Sequence, residues 1–592
     1  MKKTIVILVV LTIAILFIAV YRQSQKPHVN PQKESCFVCH KDIHMDKAHP
    51  VDQIGCVVCH GGNPYTTNEA QAHKGLIKNP ADLRYAAQTC GKCHKEQVEE
   101  VETSLMATNR GIISAVLHKF GYTDNLSSDV TVKDLYEGKY KENKAIQYYE
   151  KNCGACHLYK PYGQGPTKEI QERGGGCLDC HAKWVKGNPH VELTTHISDA
   201  TCVKCHNRSG RIGLSYFGHY ETEEYGTPFM DGGPSHYNIL GNPDRYYLDL
   251  PGDVHYTKAH MSCIDCHTMS DTMGLGLHYK NMTQQVGITC KDCHEPHFVQ
   301  VPPNSLALKL AFLNGKVPLK AGDYAAFEER TGQIIYNVQK INGKAIFFSK
   351  ETGKAIPIPL VNNKPYHTFA GHKNLSCQAC HSAWAPQCYG CHIVNFEGLK
   401  QLNWIKYKDT PGAYAELNSY VRFETPQLAF DPHGKVMPVE PGCQDFITIF
   451  NKDFKFVKQI RGLSVATIDP HTTQLQSRSC EDCHHNPSTM GFGTGNLSFN
   501  PYTKQFKFTP TFDAKASGLG DVPLDMIVNE HGRQMQSFPV KGERAFNKDE
   551  LVKIYEVGQC VVCHKSYNDP IYRDFSKSYK LFLEHKTPCN KR

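Results

Sequence analysis

Outside one repeated pattern this sequence has almost no cysteine: of 26 Cys, only Cys443 and Cys589 stand apart from it. A framework of free-standing disulfides is thereby excluded, and for these two a single mutual bond or two unreactive thiols is the plain expectation. The sharper alternative is that Cys443, in Pro441-Gly442-Cys443-Gln444, ligates an iron or meets a sulfur substrate. No basic patch is interleaved with aromatics, so the formal charge of +8 is not a nucleic-acid signal. No small-x-small site follows the apolar N-terminal stretch, whose exit reads Phe17-Ile18-Ala19-Val20-Tyr21-Arg22. That favours retention over cleavage, and the lack of a cysteine there speaks against a lipoprotein anchor.

What the N-terminus does have is Lys2 and Lys3 ahead of an apolar run from Thr4 to Val20. Such a run sits at the lower edge of what spans a bilayer, and the lysines keep its start in the cytoplasm. Residues 1–21 are therefore expected to be an uncleaved signal anchor (a transmembrane helix), with residues 22–35 as a tether. The bulk of the chain is then periplasmic or otherwise extracytoplasmic.

The other 24 cysteines form twelve copies of Cys-x-x-Cys-His. The first eight are Cys36, Cys39 and His40; Cys56, Cys59 and His60; Cys90, Cys93 and His94; Cys153, Cys156 and His157; Cys177, Cys180 and His181; Cys202, Cys205 and His206; Cys263, Cys266 and His267; and Cys290, Cys293 and His294. The last four are Cys377, Cys380 and His381; Cys388, Cys391 and His392; Cys480, Cys483 and His484; and Cys560, Cys563 and His564. Two cysteines at this spacing present their sulfurs to the two vinyl groups of one haem, and the next histidine lies under the iron. Zinc ribbons and disulfides also use paired cysteines, but neither requires a histidine after every pair.

On these motifs the chain after residue 35 resembles the multihaem c-type cytochromes. The stretches Cys202-Val203-Lys204-Cys205-His206-Asn207-Arg208-Ser209-Gly210-Arg211 and Met261-Ser262-Cys263-Ile264-Asp265-Cys266-His267 are similar to electron-transfer cytochromes of metal-reducing and sulfur-cycling bacteria. The resemblance implies twelve covalently bound haem c groups. With two ionised propionates each, ferric haems contribute about −12 in all and leave the oxidised protein at about −4.

Eight motifs crowd into residues 36–300 and four are spread over 301–592, a division placed at Val301-Pro302-Pro303. The expected architecture is an octahaem module followed by a tetrahaem module with β insertions. Its fold class is a multihaem cytochrome c, mostly irregular with short α-helices packed around haems, plus β-hairpins in the C-terminal half. Val98, Val101, Leu105, Ile113, Val116 and Leu117 predict a helix over 96–120, stopped by Gly121, and a second helix is expected over 144–151. Asn342-Gly343 predicts a type I′ hairpin between 334–338 and 345–348, with a further strand through Ile356 and Ile358. Hairpins are also expected at 446–450 with 454–457, and at 497–499 with 506–508. His381 and Cys388 are seven positions apart in sequence, at most ~25 Å of extended chain, so their haems must be neighbours.

Twenty histidines remain for the second axial position. His49, His196, His255, His260, His367, His372 and His471 stand shortly before a motif, and His44, His73, His118, His278, His297 and His531 are further candidates. His28 and His485 are poor ones. Two histidines on an iron leave no substrate position, which suits low-potential electron transfer.

Three functions fit. One is a conduit that passes electrons between redox partner proteins, a quinone-linked donor or an envelope cytochrome acceptor. A second is an oxidoreductase of small nitrogen or sulfur species, similar to hydroxylamine oxidoreductase or octahaem tetrathionate reductase; the absence of a Cys-x-x-Cys-Lys variant counts against a pentahaem nitrite reductase type of site. A third is an extracellular haem filament, which a retained anchor opposes.

Overall fold

The computed structural model describes residues 33–166, 168–206, 212–222, 246–361, 364–417, 420–441, 444–512 and 523–587. The expected anchor, most of the tether, His28, Cys443 and Cys589 lie outside these residues. Among the described residues no helix is long and apolar enough to cross a membrane.

Eleven of the twelve motifs sit on, or at the end of, a helical segment, in most cases a single short turn. The reason is local. Ser479 precedes the eleventh motif and Asp482 stands at its third helical position. The Ser479 backbone N–H donates to Asp482 Oδ2 at 2.7 Å, and the Asp482 N–H donates to Ser479 Oγ at 3.2 Å. Thr289 and Asp292 frame the eighth motif in a similar way. This reciprocal cap closes the turn, and positions three apart then share one face, so both sulfurs point the same way.

The helix expected over 96–120 is divided into α1 (Lys95–Thr103), a single turn at Leu105–Thr108, and α2 (Arg110–Lys119). Ser104 is extended and its hydroxyl accepts from the Ala107 N–H, while Asn109 adopts a left-handed φ of 48°. The Ser104 hydroxyl competes with helical hydrogen bonding, and Asn109 Nδ2 donates instead to the Tyr149 hydroxyl at 2.8 Å and the Cys156 carbonyl at 3.1 Å, which periodicity does not register. The apolar face is nevertheless the expected one: Val98, Val101, Ile113 and Leu117 are buried. A third helix, α3 (Lys144–Tyr148), widens into a π-turn over Tyr149–Cys153 that delivers the fourth motif.

The C-terminal half holds most of the sheet. A five-stranded antiparallel meander runs from Phe298–Gln300 through Tyr324–Glu328, Gln333–Ile341 and Lys344–Phe348 to Ala355–Pro357. Its hairpin turn has φ 49° at Asn342 and 78° at Gly343, the paired positive values that a type I′ turn needs. A four-stranded sheet has β1 (Cys391–Asn403) between β2 (Lys408–Leu417) and β3 (Asp445–Phe450), with β4 (Phe456–Gly462) beyond. The second strand of this last hairpin begins at Phe456 rather than Phe454, because Phe454 takes a left-handed φ of 58° in the turn. Gly495–Asn500 pairs with Gln505–Pro510.

The largest core joins the two halves. Leu83, Val98, Ile113, Leu117, Ile146 and Tyr149 pack in one cluster with Ile393, Ile405, Tyr414, Ile447 and Ile449. Asn403 Nδ2 donates to Glu150 Oε2 at 2.6 Å, and Trp404 Nε1 donates to the Lys151 carbonyl at 2.7 Å. Packing is therefore continuous across the position expected to divide the modules.

Candidate haem-binding site

Cys90, Cys153, Cys177 and Cys391, from four motifs, all pack against that same core. None of the 24 motif cysteines is in a disulfide. A continuous, largely apolar cavity of about 4670 Å³ runs past the first ten motifs. A single small-molecule site occupies about 300–1000 Å³. This volume suits a row of large apolar groups.

The motif sulfurs define an order in space. Cys36 meets Cys56, Cys90 meets Cys177, Cys202 meets Cys263, and Cys290 meets Cys377, each pair within hydrogen-bonding reach. Cys59 lies within electrostatic reach of Cys90, Cys180 of Cys202, Cys266 of Cys293, and Cys380 of Cys483. His484 Nδ1 donates to the carbonyl of Ile554, on the helix α4 (Lys548–Val561) that carries Cys560. These contacts link the first, second, third, fifth, sixth, seventh, eighth, ninth, eleventh and twelfth motifs in that order; the tenth is not among them. The fourth joins from the side, where Cys156 meets Cys205 of the sixth.

Six motif histidines face a second histidine. His40 faces His73 with ring centres 6.2 Å apart, His94 faces His49 at 6.1 Å, and His60 faces His190 at 5.8 Å. His294 faces His255 at 6.0 Å, His267 faces His471 at 6.1 Å, and His484 faces His372 at 6.3 Å. Two imidazoles on opposite sides of one metal, each nitrogen about 2 Å from it, have ring centres about 6 Å apart. Ordinary ring packing also falls in that range. Yet here the distance barely changes while the interplanar angle runs from 16° for His267 and His471 to 81° for His60 and His190. A fixed separation with free rotation is what a shared axis through one atom produces.

The outer nitrogens support the same arrangement. His60 Nδ1 donates to the Ile77 carbonyl at 2.8 Å and His190 Nδ1 to that of Val191 at 2.8 Å. His294 Nδ1 donates to the Pro359 carbonyl at 2.7 Å and His471 Nδ1 to that of Asp469 at 3.0 Å. A carbonyl only accepts, so the proton is on Nδ1 and Nε2 keeps its lone pair for a metal. Carboxylates serve His49 and His255, through Asp46 at 3.0 Å and Asp253 at 2.8 Å. Burial pushes His372 and His471 down to about 4, which holds them in the neutral, ligating form. The Nε2 atoms of His157 and His392 are buried without a hydrogen-bond partner, as expected of ligand atoms whose partner is a metal. The residues present fit haem. The paired motif cysteines would hold it by thioether bonds and the histidines by axial bonds, and the group would supply one-electron redox chemistry.

The remaining candidates are not set against a motif histidine. His118 donates from Nδ1 to the Thr123 carbonyl at 3.0 Å. His44, His196, His260, His278 and His367 are exposed, as are His297 near Glu329 and His531 beside Glu530. His190 was not among the expected ligands. It lies between the fifth and sixth motifs, and only the small antiparallel pair Ala182–Lys183 with Glu192–Leu193 turns it back toward His60. Glu34 is a further addition: its carboxylate accepts from the Cys56 N–H at 2.8 Å and lies with the Cys36 and Cys56 sulfurs inside 4.8 Å. The tenth motif departs from the helical pattern. Cys388 lies in the strand Ala385–Tyr389, Gly390 takes φ 67°, and Cys391 and His392 open β1.

No protein-family model, curated protein or solved structure matches the chain.

Proposed function

We propose that this chain is a membrane-anchored, extracytoplasmic cytochrome that carries twelve c-type haems and passes electrons along them. The observation that carries the reading is the six facing histidine pairs, each joining a motif histidine to a partner at the spacing of two axial ligands. The motif sulfurs that come within reach of one another support a row of haems close enough for electrons to pass from one to the next. The first site follows the apolar N-terminal segment closely in sequence, so the membrane is the natural side for a quinone-linked donor. The twelfth, where Cys563 is exposed, is then the natural face for an envelope acceptor.

The test is spectroscopic. Purified, matured protein is expected to give an intact mass raised by twelve haems, pigment that acidified acetone does not extract, and mostly low-spin, six-coordinate spectra. A colourless sample, or high-spin haem throughout, defeats the proposal.

A further inference from the structure

The turn at the eleventh motif carries its own cap in Ser479 and Asp482. The second motif is preceded by Gly55, which takes φ 80° and has no side chain to offer. Its cap comes instead from Glu34, two residues ahead of the first motif. Glu34 Oε2 accepts from the Cys56 N–H at 2.8 Å and from the Val57 N–H at 3.4 Å, where the turn Val57–His60 begins. The neighbouring residue holds Glu34 in place. The Ser35 N–H donates to the Pro64 carbonyl at 2.9 Å, and its hydroxyl lies 2.7 and 2.8 Å from the Pro64 and Thr66 carbonyls.

The same arrangement recurs at the sixth and seventh motifs. Asp199, three residues ahead of Cys202, accepts from the Cys263 N–H at 2.8 Å. In both cases an acid just ahead of one motif bonds to the first cysteine of the next in the row. In both, the first cysteines of the two motifs also meet, Cys36 with Cys56 and Cys202 with Cys263. Where the third and fifth motifs meet, the equivalent N–H, of Cys177, donates to the Ala81 carbonyl at 3.1 Å, a neutral acceptor.

Haem attachment gives these carboxylates an electrostatic role. Glu34 is 3 % exposed, and its carboxylate lies within 4.8 Å of the Cys36 and Cys56 sulfurs. Thioether bonds join those sulfurs to the edges of two haems, so one acid serves both. Reduction adds an electron to a ferric haem and makes it ferrous, and a nearby negative charge opposes that step. The lysines within electrostatic reach are engaged elsewhere. Lys92, near Cys59, is exposed and donates to the Val58 carbonyl at 2.7 Å, while Lys204, near Cys202, pairs with Asp179 at 2.5 Å.

We infer that Glu34 and Asp199 set reduction potentials, each holding down the potentials of the two haems whose attachment sites it joins. Glu34 acts on the first and second, Asp199 on the sixth and seventh. The inference rests on the conduit reading above and adds a gradient to it. Electrons that enter at the first two sites are pushed on toward the third and fifth, which meet over a neutral acceptor.

The experiment is a potentiometric titration of the full-length, matured holoprotein, followed by haem absorption. Glu34→Gln keeps an oxygen that can accept from the Cys56 N–H and removes the charge alone. It is expected to raise two haem potentials by about tenfold in the reduction equilibrium, about 59 mV for one electron, with haem content and low-spin spectra unchanged. Asp199→Asn is expected to raise two others by a similar amount, and the double variant to show the sum. A purely structural cap gives a different pattern: Glu34→Gln titrates like the native chain, and only Glu34→Ala loses haem or low-spin character. An unchanged or lowered curve in either charge-removing variant, at equal haem content, overturns the inference and leaves the conduit intact. Where one of the two fails to mature, the other decides; failure of both marks the acids as structural caps and overturns the inference as well. Native protein without low-spin haem counts instead against the proposed function.

Discussion

His267, in the seventh motif, and His471, just ahead of the eleventh, lie with their rings 6.1 Å apart and only 16° from parallel. One ring is fixed by the Asp271 carboxylate at 3.4 Å and the other by the Asp469 carbonyl. Distant parts of the chain are thus brought face to face at the spacing of two axial ligands, and the same relationship recurs at five other motifs.

The least foreseen of these pairs gives the sharpest test. His190→Ala is expected to leave the second haem with His60 alone, turning one low-spin haem high-spin without changing the haem count. Magnetic circular dichroism at room temperature measures this directly. An unchanged spin state removes His190 from the ligand set.

Glu328 makes a pH prediction. Its side chain is fully buried, and burial pushes its carboxyl up to about 7 from an ordinary 4.5. The folded state therefore binds this proton more tightly than the unfolded state. The associated stability is complete below the ordinary value and is lost as pH rises through about 7. Glu328→Gln is expected to flatten the stability profile between about pH 5 and 8, gaining on the native chain by about 1–3 kcal/mol at the upper end. Denaturant melts across that window would show it; parallel profiles would contradict it.

Phe492, fully buried against Phe506, Phe508 and Tyr555, ties the hairpin 495–510 to α4 and hence to the twelfth motif. Phe492→Ala is expected to cost about 3–5 kcal/mol. Calorimetry of the holoprotein should register a lower melting temperature, with the twelfth haem the first to change its absorption. A loss under about 1 kcal/mol would mean that this cluster does not hold the end of the chain.

The lining of the 4670 Å³ cavity predicts that haem attachment and folding are coupled. Protein interiors are packed like organic crystals, and a chain cannot close over so much apolar wall without a group to fill it. Chain produced without haem attachment is expected to show no cooperative melting transition and rapid proteolysis. A protease-resistant, cooperatively melting apoprotein would refute this.

Much was legible in the residues. The twelve motifs are local, and so are the turns at the seventh, eighth and eleventh, where a capping Ser or Thr and an Asp at the third position act within five residues. The Asn342-Gly343 turn and the apolar face of α1 and α2 were legible for the same reason. Ser104, whose hydroxyl caps the following turn, and Asn109, with its left-handed φ, split the expected helix, an effect that hydrophobic spacing does not carry. Candidates such as His278 and His531 precede or follow motifs much as His73 and His471 do, and nothing in their spacing separates the ones that face an iron position.

By itself, then, the sequence determined the motifs: how many paired cysteines there are, which histidine follows each, and how the helical turns present their sulfurs. Which histidine faces which, and which motif touches which, were decided only in the tertiary structure. Those facts depend on distant segments meeting, as Cys156 meets Cys205 and His60 meets His190, and a distance between remote residues is set by packing rather than by any pattern along the chain.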